Sequence, residues 1–503
     1  MIHTVVFEDK IKIWWDYKKL GKAEKYAVYL GDVKSGETRA TNFEFADLMP
    51  ETEYEITVAL EGENEIESEK IAVLTHPAKR VIDVTMPPYL AVGNGKVLNT
   101  AAIQRALDDC RPDECVYIPD GNFLTGALDM KSNTELRLSK KAVLTGSSEA
   151  KDYLPKIHSR FEGTERECYR SLINTGTLDR NGGYNCENVI IRGGTIYGGG
   201  QKLRKSIIDA EREALQAELR AKGASDEEIY SYNVTSRFPG FARGRLFQIA
   251  NTKGVVIADV TCGFSPSWNV HMIYSDDITT CGCKIRSKGI SNGDGWDPDS
   301  STNCILFDTE FDTGDDCVAI KSGINPEGNV INKPTEHVKV FDCKTIGYGH
   351  GICIGSEMSG GVNDVTFWNC DVYDTFNGIF VKAPEERGGY VKNFSVYNCR
   401  APQIKVQTSK YCCNVAENAA ENPPVLENFR FEDLVLRGVE RYWDNRPIEK
   451  CYAVSLIGAA KPGYAIKNVV IKNVKIEPRP LLADQEMYFE NVENVTIENV
   501  EAE

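Results

Sequence analysis

The chain has 503 residues, 42% of them hydrophobic, and a formal net charge of −16. That length exceeds a single ordinary core, so two domains or an elongated repeat are expected in a soluble globular protein. The negative balance argues against nucleic acid and anionic membrane as partners, and an acidic substrate would need a locally positive cleft.

The first residues, MIHTVVFEDKIKIWWDYKK, show no basic stretch followed by an apolar core. No apolar run approaches bilayer length, so a cytoplasmic protein is expected. The 16 cysteines are dispersed through the chain without paired CxxC spacing, which fits free thiols better than disulfides or zinc. Residues 1–78 alternate apolar and polar in EKYAVYLGDV, YEITVAL and KIAVLT, the pattern of a small antiparallel β-domain. FADLMPETEYEITVAL, with Leu48, Pro50, Thr52 and Tyr54, resembles the tyrosine corner of fibronectin type III modules, in which the hydroxyl bonds upstream backbone. Trp14 and Trp15 are the one candidate aromatic platform here, so a spacer or cleft wall is expected rather than an independent sugar binder.

Residues 79–503 read as a second domain. NTAAIQRALDDC predicts a helix capped by Asn99 or Thr100, with Ala102, Ile103, Ala106 and Leu107 as its apolar stripe. QKLRKSIIDAEREALQAELRAKGASDEEIY predicts an inserted surface helix with Ile207, Ala210, Ala214 and Leu215 on one face. It packs against the body or a second copy, or walls off a cleft. The remainder repeats a turn, an alternating strand, a corner and a second strand, as in TEHVKVFDCKT, VKNFSVYNCRA and IKNVVIKNVKI. Intervals of roughly 23 to 40 residues mark a solenoid, and strands this short need stacking as a parallel β-helix to share a core. One repeat slot holds Cys283, Thr309, Cys343, Cys370, Cys399, Leu434, Val474 and Val500. Cysteine alternates there with valine and leucine, so it is expected to be a small buried hydrophobe.

Two neighbouring turns crowd carboxylates together: SNGDGWDPDSS holds Asp294, Asp297 and Asp299, and DTGDDCVAIKSG holds Asp315 and Asp316. Coils stack at about 4.8 Å, so residues one coil apart become neighbours. Asp294 and Asp315 lie 21 residues apart, and His350 holds the same offset in the next unit as Asp316. Asp294, Asp315, Asp316, His350 and Lys382 therefore line one side of the cylinder. Repulsion among three carboxylates should leave at least one holding a proton. Asp297 and Asp299 are expected to cap turns through backbone hydrogen bonds.

Here the chain resembles glycoside hydrolase family 28, the polygalacturonase family. Its Asn-Thr-Asp motif appears as Asn292-Gly293-Asp294, Gly/Gln-Asp-Asp as Gly314-Asp315-Asp316, Gly-His-Gly as Gly349-His350-Gly351, and Arg-Ile-Lys as Phe380-Val381-Lys382. The likeness, which covers residues 80–503, implies a right-handed parallel β-helix after a small N-terminal β-sandwich. It also implies inverting hydrolysis of α-1,4-galacturonosyl linkages in pectic poly- or oligosaccharides, with no cofactor and no metal. By resemblance, Asp315 is the general acid, Asp294 and Asp316 activate water, His350 tunes the acid and Lys382 pairs with a substrate carboxylate. Arg243, Arg245, His271 and Arg387 are candidate uronate ligands, and exo attack is expected if early loops and the inserted helix block the cleft. Two positions depart from the family. Gly293 lacks the threonine hydroxyl. Phe380 replaces an arginine that grips a carboxylate, and its ring suits the apolar face of a sugar. A rhamnogalacturonan hydrolase, a calcium-dependent pectate lyase-like enzyme and a non-catalytic sugar-binding solenoid stay open as alternatives.

Overall fold

The computed structural model describes residues 1–20, 25–60, 68–235, 238–347, 349–409, 418–439, 446–448, 451–477 and 487–502. These form two compact units, Met1–Val81 with Arg111–Cys115, and Ile82–Cys110 with Val116–Glu503. The first unit holds a three-stranded antiparallel sheet (Ile2–Val6, Ile11–Trp15, Asn42–Phe45) and a four-stranded one (Val33–Thr38, Tyr26–Leu30, Glu53–Leu60, Ser68–Leu74). Alternation in these strands puts Ile11, Ile13, Trp15, Val28, Ile56 and Val58 inside. The Tyr54 hydroxyl accepts the Met49 N–H at 2.9 Å and so ties the strand back to the chain before it. Trp14 and Trp15 are both buried, Trp14 against the ring of His3, so neither offers a platform to a sugar.

The second unit is a right-handed parallel β-helix with three long sheets. Each central coil lends one strand to each sheet: Asp276–Cys281, Lys284–Arg286 and Trp296–Asp299, then Thr302–Phe307, Glu310–Asp312 and Asp316–Ile320. The next coil adds Thr335–Phe341, Lys344–Thr345 and His350–Gly355. The long sheet contains the first strand of every coil, and the site sheet contains the last. Inward residues stack in files, such as Val270, Trp296, Val318, Ile352, Ile379 and Ile404. The cysteine slot is one of these files. Cys283, Thr309, Cys343, Cys370, Cys399, Leu434 and Val474 are all buried, and the 14 described cysteines are free thiols.

Corners on the long sheet are held by asparagines in the left-handed region, where a short amide side chain is tolerated. Asn393, Asn428, Asn468 and Asn494 have φ of 55°, 63°, 59° and 56°. Each donates its side-chain amide to the asparagine one coil back, Asn428 to Asn393 at 2.9 Å and Asn468 to Asn428 at 3.0 Å.

The two helices differ from expectation in detail. Thr100–Asp109 buries Ile103, Ala106 and Leu107, but Asn99 does not cap it through its side chain. That amide instead accepts from Val92 N–H and donates to the carbonyls of Val97 and Leu124, pinning three loops. In Gly200–Ala221 only Leu203 and Ile207 are buried; Ala214 is exposed, because the helix leaves the body after its first turns. Its early turns reach the loop at Ala150, whose N–H donates to Ser206 Oγ, and Glu211 pairs with Lys156 at 2.5 Å.

Candidate active site

Parallel register makes the outer face of the site sheet into three columns. Asp316 pairs with His350, and the Gly295 N–H donates to Asp316 O, which puts Asp294 one coil below Asp316. His271 pairs with Asp297, and two coils further Cys353 pairs with Phe380. Asp299 bridges to Lys321, and Gly355 pairs with Lys382. Sequence motifs far apart in the chain are thus gathered on one face.

Asp316 is the best-held carboxylate. Its Oδ2 accepts from Lys382 Nζ at 2.6 Å, and its Oδ1 accepts from His350 Nδ1 at 3.0 Å and Cys353 Sγ at 3.1 Å. Burial alone would raise its pKa, but Lys382 and His350 outweigh that and hold it well below the usual carboxylate range. His350 also lies 3.2 Å from Asp315 Oδ1. Burial opposes its charge, yet the two aspartates push the imidazole up to about 10. Asp315 differs from its neighbours in access: its side chain is 33% exposed against 3% for Asp316. The ligand atoms of Asp315, Asp316 and His350 lie within 4.8 Å of one another, the spacing of a chelating set. The ammonium of Lys382 already supplies positive charge against Asp316 at that point.

Asp294 and Asp297 form a buried acid pair beneath. Burial raises both well above the usual range, Asp297 adds repulsion to Asp294 and Asp316 adds it to Asp297, and Lys321 opposes the shift. The pair therefore holds a proton as a unit. Lys321 Nζ lies 3.6 Å from Asp294, 3.8 Å from Asp297 and 3.2 Å from Glu357, and 4.6 Å from the centre of the Trp268 ring. Asp294 Oδ1 is buried and accepts no hydrogen bond among the described residues.

Several expected contacts are corrected. Asp297 and Asp299 do not cap turns; both are fully buried in the strand Trp296–Asp299. Asp299 accepts from Arg160 at 2.8 Å and from the Gly323 N–H at 3.1 Å, and meets His271 at 3.3 Å. His271 is buried, and desolvation drops it to about 3, so it is neutral and not an anion ligand. Arg243 is buried with its guanidinium on the carbonyls of Gly240, Pro266 and Ser291 and on Asn292 Oδ1 at 2.8 Å. Arg245 lies buried against the stacked rings of Phe161 and Trp268, and Arg387 is buried against Ser356 O and Asn325 Oδ1. All four expected uronate ligands are thus turned toward protein. Lys382, expected on substrate, sits on Asp316. Phe380, expected to face a sugar, is only 4% exposed, with Lys405 Nζ 4.8 Å from its ring centre. Gly293 has a local cause: a Cβ there would stand 2.8 Å from Ile290 O and 3.0 Å from Ser287 O. The same loop presses on Gly314, where a Cβ would meet Ile290 O at 2.2 Å. Small residues let that loop draw the two acidic turns together.

Four features were missed. Lys321, Glu357 and Asp297 belong to the cluster, and Lys321 lay in plain view five residues after Asp316, the spacing that puts it two columns across on the same strand. The fourth is a hairpin, Ile157–Phe161 with Thr164–Cys168. Arg160 in it pairs with Asp299, the Ile324 N–H donates to Gly163 O at 3.1 Å, and the Glu165 N–H donates to Glu327 at 3.0 Å. Its tip residue Glu162 is pushed up to about 7, first by burial and then by Glu357. The hairpin thus lies over the Asp299 and Lys321 column, on the middle strands of the site sheet.

A family model, Glycosyl hydrolases family 28, matches residues 112–440. A probable polygalacturonase of Vitis vinifera is 30% identical over 378 residues, 72% of this chain and 70% of that protein. An exo-poly-alpha-D-galacturonosidase of Dickeya chrysanthemi is 27% identical over 410 residues, 77% of this chain and 67% of that protein. Among solved structures, the family 28 exopolygalacturonase of Yersinia enterocolitica superposes with a TM-score of 0.77 over 99% of this chain and 98% of that one, at 20% identity.

Proposed function

The chain belongs to glycosyl hydrolases family 28 and is a glycoside hydrolase, and from that premise we propose that it cleaves α-1,4-galacturonosyl linkages of polygalacturonate or its oligomers from a chain end. Asp315 is the general acid. It gives its proton to the glycosidic oxygen as the bond to the anomeric carbon breaks. A water strikes that carbon from the opposite face and inverts it. Asp294 and Asp316 hold this water. Asp316 is ionised and orients it, and Asp294, with a higher proton affinity than Asp316 and an unoccupied Oδ1, takes its proton. His350, as an imidazolium, donates to Asp316 and stands beside Asp315, fixing the two turns against each other. Arg243 orders Asn292 and so positions the turn that carries Asp294.

The observation that carries this reading is the division of access, with Asp315 open to a ligand and Asp294 and Asp316 buried beneath it on one sheet face. Exo attack is supported by the hairpin, which covers the face along the Asp299–Lys321 column beside the acids. The N-terminal sandwich, with its tyrosine corner, is a fibronectin type III-like module.

The test offers the protein homogalacturonan, rhamnogalacturonan and xylogalacturonan oligomers and follows products by proton NMR. Homogalacturonan should be cut to one small sugar from the earliest time, and that sugar should appear first as the β-anomer. A ladder of oligomers would overturn exo attack. An α-anomer would overturn inversion, and an ultraviolet-absorbing unsaturated product would replace hydrolysis with elimination.

A further inference from the structure

Lys405 is the one described lysine on this face that sits half-buried without a carboxylate. Lys321 and Lys382 each have at least one, at 3.2 Å and 2.6 Å. Lys405 stands directly above Phe380 in the parallel register, Phe380 stands above Cys353, and Cys353 donates to Asp316 at 3.1 Å. Its ammonium leans back over the Phe380 ring, 4.8 Å from the centre, toward the acid cluster. Desolvation lowers its pKa, and no described acid reverses this. A cation in that state is held at a cost unless an anion arrives from outside. The ring beneath fixes its position by cation–π attraction but does not neutralise it. The hairpin's hydrogen bonds reach Gln248, Asp299 and Ile324 beside the acid rungs, and the Phe380–Lys405 rungs follow one and two coils beyond His350 on the same face.

We propose that Lys405 is a specificity-determining residue that binds the carboxylate of the substrate sugar lying over the Phe380–Lys405 rungs, next to the acid cluster. The assignment rests on the galacturonan reading above. It makes Phe380 a platform for a lysine rather than for a sugar, and it means that the loss of a cation at position 380 is compensated one coil later. A lysine here gives a point charge rather than a bidentate fork, so recognition of the carboxylate is electrostatic and salt-sensitive.

The test uses the full chain as wild type, Lys405→Met and Lys405→Arg. Tri-galacturonate turnover is measured, and binding of tri-galacturonate and its methyl ester is measured by calorimetry in an Asp315→Asn background. Lys405→Met should raise KM for the acid trimer about tenfold with kcat within about threefold, and should abolish the preference for acid over ester. Lys405→Arg should restore both. A role in packing alone would lower thermal stability and leave that preference intact, which would overturn the proposal. So would an unchanged KM. Should Lys405→Met fail to fold, Lys405→Gln replaces it with the same expected outcomes. If wild type turns over no galacturonan, the functional reading fails separately. Calorimetry then decides Lys405 alone: about tenfold weaker acid-trimer binding in Lys405→Met sustains it, and equal or absent binding overturns it.

Discussion

The long sheet and the site sheet are made by the same coils, yet they treat charge in opposite ways. On the long sheet, Thr335–Phe341 and Val362–Trp368 alternate buried with half-exposed or exposed residues, and Lys392 meets Glu427 at 3.3 Å in solvent. On the site sheet, Trp296–Asp299, Asp316–Ile320 and Ile379–Lys382 are buried at every position. Asp297, Asp299, Asp316, Lys321 and Lys382 sit where an open β-helix face would expose them. Hairpin and loops cover that face, so each charge must find a partner there: Lys321 among Asp294, Asp297 and Glu357, Arg160 with Asp299, and Lys382 and His350 with Asp316. Solvated pairs add little stability, whereas breaking a buried set leaves its remaining charges uncompensated. The comparison teaches that this fold stores its chemistry as desolvated, mutually compensated charge on one face only.

The largest effect should come from Lys321→Met. It leaves Asp294, Asp297 and Glu357 without their cation, and urea unfolding should show a loss of about 3 to 5 kcal/mol together with loss of turnover. A loss below 1 kcal/mol would break the contrast between the sheets. Asp315→Asn should separate chemistry from stability. Turnover should fall about 10² to 10⁴-fold, while the melting temperature stays within a few degrees because the side chain is partly open.

Histidine titration sharpens the same contrast within the site sheet. By NMR, His350 should still be protonated at pH 8, and His271 should still be neutral at pH 5. The linkage has a definite sign. His350 has a raised pKa, so its contribution to stability is complete below about 6.5, its ordinary value, and is lost as pH rises to about 10. Asp316 is depressed, so its contribution is present above its ordinary value of about 3.9 and is lost as pH falls below it. The stability gap between wild type and His350→Gln should therefore shrink from pH 7 to pH 10, and a constant gap would contradict the pairing.

On the long sheet the expected effects are small. Asn428→Ala forces a left-handed corner on alanine and cuts the amide ladder, for about 1 kcal/mol by urea midpoint. Lys392→Ala should change stability by less than about 0.5 kcal/mol, since its pair with Glu427 is solvated.

Much of this was legible beforehand for a simple reason. A β-helix repeats, so the alternation of valine, leucine and cysteine at one slot reports the interior directly, and coil spacing reports which distant residues share a face. Asp294, Asp315, Asp316 and His350 could be gathered by that reasoning alone. Arg243, Arg245, His271 and Arg387 could not be placed, because an arginine or histidine looks the same in sequence whether it faces ligand or packs under a loop. Asp297 and Asp299 were misread because a turn-rich composition hid a strand.

The primary sequence by itself determined the coil, its inward files and the column on which the acids stand, since these follow from local alternation and repeat length. Only the tertiary structure decided which of those charges are buried. The hairpin at Ile157–Cys168 folds back over coils more than a hundred residues later, and Arg160, Lys321 and Glu357 become a counter-charge network only once it does. Burial of a charge depends on what covers it, and coverage is set by contacts between segments that no local pattern connects.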